Sequence, residues 1–241
     1  MKPTEFLTKY AKYFGEKAQL PIAVRYSDEP LGRLDNIAGC LFKQFHKAYR
    51  GETVSLGASN FTCGGGKLYT GLGPVPERVY NFVSTYERYK SCPKIAEESI
   101  SLIGAEMNPK AYINFIRIDK LDDFNDVEGL IFFADPDVVS GLFTWANFDT
   151  PDINSVQTPW GSGCSSTITA LVNENKKDGK HCFIGLFDVS ARVFFRSNVI
   201  SFSIPYSRFK EMLLTMDECC VGGAPAWVKL KKRINKPTLQ Q

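Results

Sequence analysis

Apolar residues recur every three or four positions at Phe6, Leu7, Tyr10, Tyr13 and Phe14. That spacing predicts an amphipathic helix, with Thr4 as its cap. Residues 21–26 are short and apolar and predict a strand, closed by Asp28-Glu29-Pro30. Asp35 opens a second predicted helix, with Ile37, Leu41, Phe45 and Ala48 on one face and Gly51 placed to end it. Residues 53–56 predict the next strand, and a second short one is expected before Cys63. Pro76 starts a helical stretch through Val79, Phe82, Val83 and Tyr86; Ser91 and Pro93 start another. Strands are expected over residues 111–118, 129–134, 155–158, 181–187, 193–195 and 201–204. Residues 129–134 form a near-continuous apolar run, the pattern of a buried parallel strand. Asp135-Pro136 and Pro205 open helices after the strands at 129–134 and 201–204, and a further helix follows Cys164.

One order appears twice: strand, acid-Pro, amphipathic helix, strand, glycine-flanked cysteine. The first copy runs from Ile22 to Gly66 and the second from Leu130 to Cys164. This suggests two similar βαβ-like halves whose cysteine loops face each other. No Pro/Ser-rich linker separates them, so residues 1–241 are expected to form a single compact α/β or α+β domain with a mixed sheet.

Charge changes the picture mainly by its distribution. Five of the 29 Lys and Arg lie between Val228 and Lys236, within a basic C-terminal tail at 228–241. The remainder then has 24 basic against 26 acidic side chains, a balance that argues against a nucleic-acid groove. The tail reads as a solvated end. No apolar run approaches the roughly 20 residues of a membrane span. The N-terminus has no secretory pattern, so a cytoplasmic protein without a membrane partner is expected. Seven cysteines, an odd number, are then expected to be reduced. There is no Cys-x-x-Cys, and His46 and His181 are the two histidines, so no metal site of ordinary zinc spacing is present.

Two cysteines stand against glycine runs: Cys63-Gly64-Gly65-Gly66 and Gly161-Ser162-Gly163-Cys164. Glycine reaches positive φ and lets backbone N–H groups turn toward an anion, so Gly65→Ala is expected to cost about 1 kcal/mol. Cys164 is expected in the first turn of a helix, where free N–H groups lower a thiol pKa. Arg192 lies between apolar strands. It either clamps an acidic ligand or closes the turn by pairing with Asp188.

The segments Pro21-x-Ala23-Val24, Gly51-Glu52, Cys63-Gly64-Gly65 and Gly71-Leu72-Gly73 are similar to those of domain-of-unknown-function family 169. The likeness continues through Glu128-Gly129-Leu130, Asp135-Pro136, Gly163-Cys164, the stretch from Ile184 to Arg192, and Phe202-Ser203-Ile204-Pro205. It covers about residues 20 to 215 and implies one fold unit, with no reaction attached.

The residues themselves point to a small anionic ligand or cofactor, of unknown identity, held by Cys63, Gly64, Gly65, Gly66, Gly163, Cys164 and Arg192. Two alternatives stand beside this. One is a thiol-dependent enzyme using Cys164, and the other is a metal or iron–sulfur carrier drawing thiolates from several loops.

Overall fold

Seven strands pair into one mixed sheet among the residues described by the computed structural model, 1–34 and 39–234. They are β1 (Ile22–Ser27), β2 (Val54–Gly57), β3 (Tyr112–Arg117), β4 (Val127–Ala134), β5 (Val156–Gln157), β6 (Cys182–Gly185) and β7 (Ile200–Pro205). Their order is β2-β3-β1-β4-β7-β6-β5. Every neighbouring pair is antiparallel except β5 with β6.

The helices are α1 (Pro3–Phe14), α2 (Phe42–Tyr49), α3 (Gly64–Tyr69), α4 (Val79–Asn81), α5 (Pro93–Ile103), α6 (Pro136–Ala146), α7 (Ala170–Lys176), α8 (Val189–Arg192), α9 (Tyr206–Thr215) and α10 (Pro225–Ile234). A π-helical turn, Phe82–Tyr86, prolongs α4, and another, Ser165–Thr169, leads into α7. The expected start of α2 at Asp35 and Ile37 lies outside the described residues. No helix among the described residues is long and apolar enough to cross a membrane.

Alternation along β4 explains the layering. Leu130, Phe132 and Ala134 join a core with Phe6 and Tyr10 of α1, Trp145 of α6 and Phe209 of α9. Ile131 and Phe133 point to the opposite core, with Phe42 and Phe45 of α2 and Leu171 of α7. The sheet is thus covered on both faces, as an α/β protein requires. The apolar run at 129–134 was expected to be a parallel strand, but β4 is antiparallel to both β1 and β7. Burial on both faces produces the same run whatever the strand direction.

Strand order mirrors about the β1–β4 boundary: β1-β3-β2 on one side, β4-β7-β6 on the other. A twofold axis relating adjacent antiparallel strands in this way stands perpendicular to the sheet and preserves its faces. Yet α2 packs on one face and α6 on the other. The likeness of the halves lies in strand order and does not extend to these helices.

Three local expectations change. The cap of α1 is Lys2, whose backbone N–H donates to Glu5 at 3.0 Å, in place of Thr4. Residues 193–195 form a turn after α8 where a strand was expected, because the Arg192 guanidinium ties back to nearby carbonyls. Up to Ile234 the basic tail is helical, with Lys229, Lys232 and Arg233 exposed to solvent as expected and Leu230 and Ile234 packed partly on the core. It forms α10, which seats Trp227 against Phe14, with the indole N–H donating to the Tyr13 carbonyl at 2.9 Å. Gly141 makes room for that ring, since a Cβ there would lie 2.3 Å from it. Trp227→Ala is expected to lower stability by about 3 kcal/mol in urea unfolding; an unchanged midpoint would mean that the helix is not docked.

Candidate functional site

A cavity of about 650 Å³ opens where the starts of α2 and α3, the α4 segment, the loop before Cys164 and α8 meet. Its walls are mainly apolar and aromatic, with Phe42, Tyr69, Val79, Phe82, Trp160 and Phe194 among them. Cys63, Gly64, Gly65, Gly66 and Cys164 all line it, so the two cysteine loops share one space. Cys40 is a third cysteine in the wall. A neighbouring cleft of about 430 Å³ shares Tyr89, Trp160 and Asp188 with it.

The glycine run at 64–66 is the first turn of α3, and none of the three has positive φ. Cys63 caps this turn, its Sγ accepting from the Gly66 N–H at 3.3 Å. The expected reason for glycine is therefore corrected position by position. A Cβ on Gly66 would lie 2.3 Å from the Phe61 ring, so close packing demands glycine there. A Cβ on Gly65 would meet nothing within 4 Å, because that position faces open space. Gly65→Ala should shift stability by less than about 1 kcal/mol, in the stabilising direction. Gly66→Ala should cost about 1–3 kcal/mol, measured in the same urea titration. Equal losses at both positions would contradict the assignment.

Cys164 lies in the first turn after Ser162, whose Oγ accepts from the Ser165 N–H at 3.3 Å. The helix start does not free the thiol to ionise as expected. Asp188 already occupies it, its Oδ2 accepting from the Gly163 N–H at 2.9 Å. Burial pushes the Cys164 thiol well above its ordinary value, and Cys40, Cys63 and Asp188 nearby push the same way. A raised value leaves the group protonated at neutral pH, the opposite of an activated nucleophile. Folded protein treated with iodoacetamide at pH 7 is expected to keep Cys164 unmodified, with modification only on unfolding. Rapid native labelling of Cys164, read by peptide mass, would restore it as a nucleophile.

Asp188 is the polar centre of the wall. Besides Gly163 it accepts from the Ser190 N–H at 2.9 Å, the Ser190 hydroxyl at 2.8 Å and the Tyr89 hydroxyl at 3.0 Å. Gly163 itself does not face the space. A Cβ there would lie 2.5 Å from Phe42 and 2.7 Å from Ala191, so the glycine lets α7, α2 and α8 converge. Arg192 lines none of the cavity and does not pair with Asp188. Its guanidinium donates to the carbonyls of Ser197 at 2.7 Å, Arg196 at 3.3 Å and Val199, closing the turn before β7.

Neither histidine lines the cavity. The His46 ring bonds to the Phe194 carbonyl at 2.9 Å, and Nδ1 of His181 lies 2.7 Å from Glu174. Among the described residues, no three His, Cys, Asp or Glu side chains are grouped to hold a metal ion. Burial, with Cys164 and Asp188 close by, pushes the Tyr69 phenol up to about 12, so it remains a neutral hydrogen-bonding wall. Trp160 stands at the rim, with the Lys90 ammonium 3.7 Å from the centre of its ring. Sequence reasoning missed Cys40 and the aromatic walls Phe42, Tyr69, Phe82 and Phe194 as site residues, since their spacing is that of ordinary core positions.

Sheet, covering helices and cavity define an α/β protein with one thiol-bearing, aromatic-walled pocket beside its second core. Residues 12–214 match a protein family described as uncharacterised ArCR, domain of unknown function 169. The chain belongs to that family. No curated protein and no solved structure matches it.

Proposed function

We propose that this is a cytoplasmic small-molecule-binding protein whose ligand has a mainly apolar, ring-like body. The observation that supports this best is the cavity itself. It has the volume of an ordinary ligand pocket, and its wall brings aromatic rings and three cysteines together from separate segments. Its aromatic walls favour a flat apolar body, and Tyr69 and Ser162 offer polar contacts.

The wholly anionic ligand anticipated from the glycines is less well supported than an apolar one. Arg78 is the wall's one guanidinium, against the carboxylates of Asp188 and Glu87. Asp188 is engaged by four donors and is not waiting for a ligand cation. An acidic substituent on the ligand therefore belongs at Arg78, near the rim. A thiol enzyme centred on Cys164 is disfavoured by the burial that keeps this group protonated.

Gly65 supplies the test, because it lines the cavity and a Cβ placed there meets nothing within 4 Å. Titration with 1-anilinonaphthalene-8-sulfonate should give one saturable site in the wild type and none in Gly65→Leu, with circular dichroism unchanged. Equal dye binding by both proteins, or no saturable site in the wild type, would overturn the reading.

A further inference from the structure

Cys40 and Cys63 are the two partly exposed thiols of the cavity wall, whereas Cys164 is buried beneath them. They come from segments far apart in the chain that are tied together at the residues just before each cysteine. The Gly39 N–H donates to the Thr62 hydroxyl at 3.2 Å. Gly39 has φ +88°, a backbone state open to glycine, and a Cβ there would meet only the end of the Lys43 side chain. Glycine at this position lets the chain turn sharply into Cys40. Neither thiol is engaged in a disulfide.

We infer that Cys40 and Cys63 form a reversible dithiol–disulfide couple, oxidised by hydrogen peroxide and reduced by an external dithiol. Cys63 takes the role of attacking thiol, because it caps α3 with a partly exposed Sγ that already accepts from the Gly66 N–H at 3.3 Å. Cys40 is the resolving thiol; burial raises it, and the closeness of Cys63 raises it further.

The chemistry balances in two steps. The Cys63 thiolate attacks the terminal peroxide oxygen, the O–O bond breaks, and water leaves after proton transfer, giving a sulfenic acid. The Cys40 thiolate then attacks that sulfur. An S–S bond forms, the S–O bond breaks and a second water leaves. The two thiols together give up two electrons and the peroxide takes them. Closing the bridge ties the chain before α2 to the cap of α3, two walls of the cavity. The couple stands on these contacts alone, whatever the cavity binds.

Hydrogen peroxide applied to the folded full chain, followed by alkylation and non-reducing peptide mapping, tests the inference. The expected result is a Cys40–Cys63 cross-linked peptide, with the intact mass lower by two hydrogen atoms and restored by dithiothreitol. In Cys40→Ser, Cys63 should instead be trapped by dimedone as its sulfenic acid. In Cys63→Ser, neither bridge nor dimedone adduct should form at Cys40. Stable dimedone-reactive Cys63 in the wild type would overturn the couple. So would a bridge formed only on unfolding, or pairing of either thiol with Cys92, Cys164 or Cys220 instead. Because the decisive map is made on the wild type, a misfolded variant leaves the test intact.

Discussion

One carboxylate holds the cavity's walls in register. Asp188 follows β6, caps α8 through Ser190, receives the Tyr89 hydroxyl and closes the chain start ahead of α7 at Gly163. Three donors converge on its Oδ1, from Tyr89 and Ser190, and the Gly163 N–H reaches its Oδ2. Hydrogen bonds to a charged acceptor are roughly twice as strong as neutral ones. Asp188 also takes the Gly163 N–H beside Cys164, whose thiol burial keeps neutral, so it packs as a wall group.

A second polar knot does the same work at the far side of the sheet. Asn114 is fully buried on β3, donating to the Arg25 carbonyl at 3.1 Å and the Ser27 hydroxyl at 2.8 Å. Its Oδ1 accepts from the Ser55 hydroxyl at 2.6 Å and from the Leu31 N–H at 3.1 Å, and Ser55 accepts from Gly32. A buried amide satisfied on all sides specifies one arrangement of its neighbours. Here it fixes the chain leaving β1 against β2 and β3, and so the approach toward α2 and Phe42.

Much of this was legible in the chain because hydrophobic period reports burial. The α1 face at Phe6, Tyr10, Tyr13 and Phe14 is buried as expected; β3 falls within the apolar run that predicted it, and β1, β4 and β7 overlap theirs and extend past the ends by one or two residues. Strand direction was not legible in β4, since a helix layer on each face hides whether its neighbours run parallel. Nor was the docking of α10, whose lysines announce solvent while the single Trp227 makes the contact. Flanking glycines marked both cysteine loops, and the structure brings those loops to one space. Arg192 misled for a physical reason: a guanidinium amid apolar strands needs partners, and three backbone carbonyls serve as well as a ligand.

The glycines separate close packing from an open cavity. Gly66 and Gly163 are forced by contacts, because Phe61 in one case and Phe42 with Ala191 in the other occupy the volume of a Cβ. Nothing forces Gly65. It sits at a helical position where alanine would improve propensity, and its missing side chain opens onto the space bounded by aromatic rings and thiols. Filling that space with a leucine would bury apolar surface and strengthen packing, which is what an ordinary core position gains from a larger residue. Asp188 ties this wall together and three thiols line it, so the position left short of a side chain is the one place where cavity volume and fold stability can be varied separately.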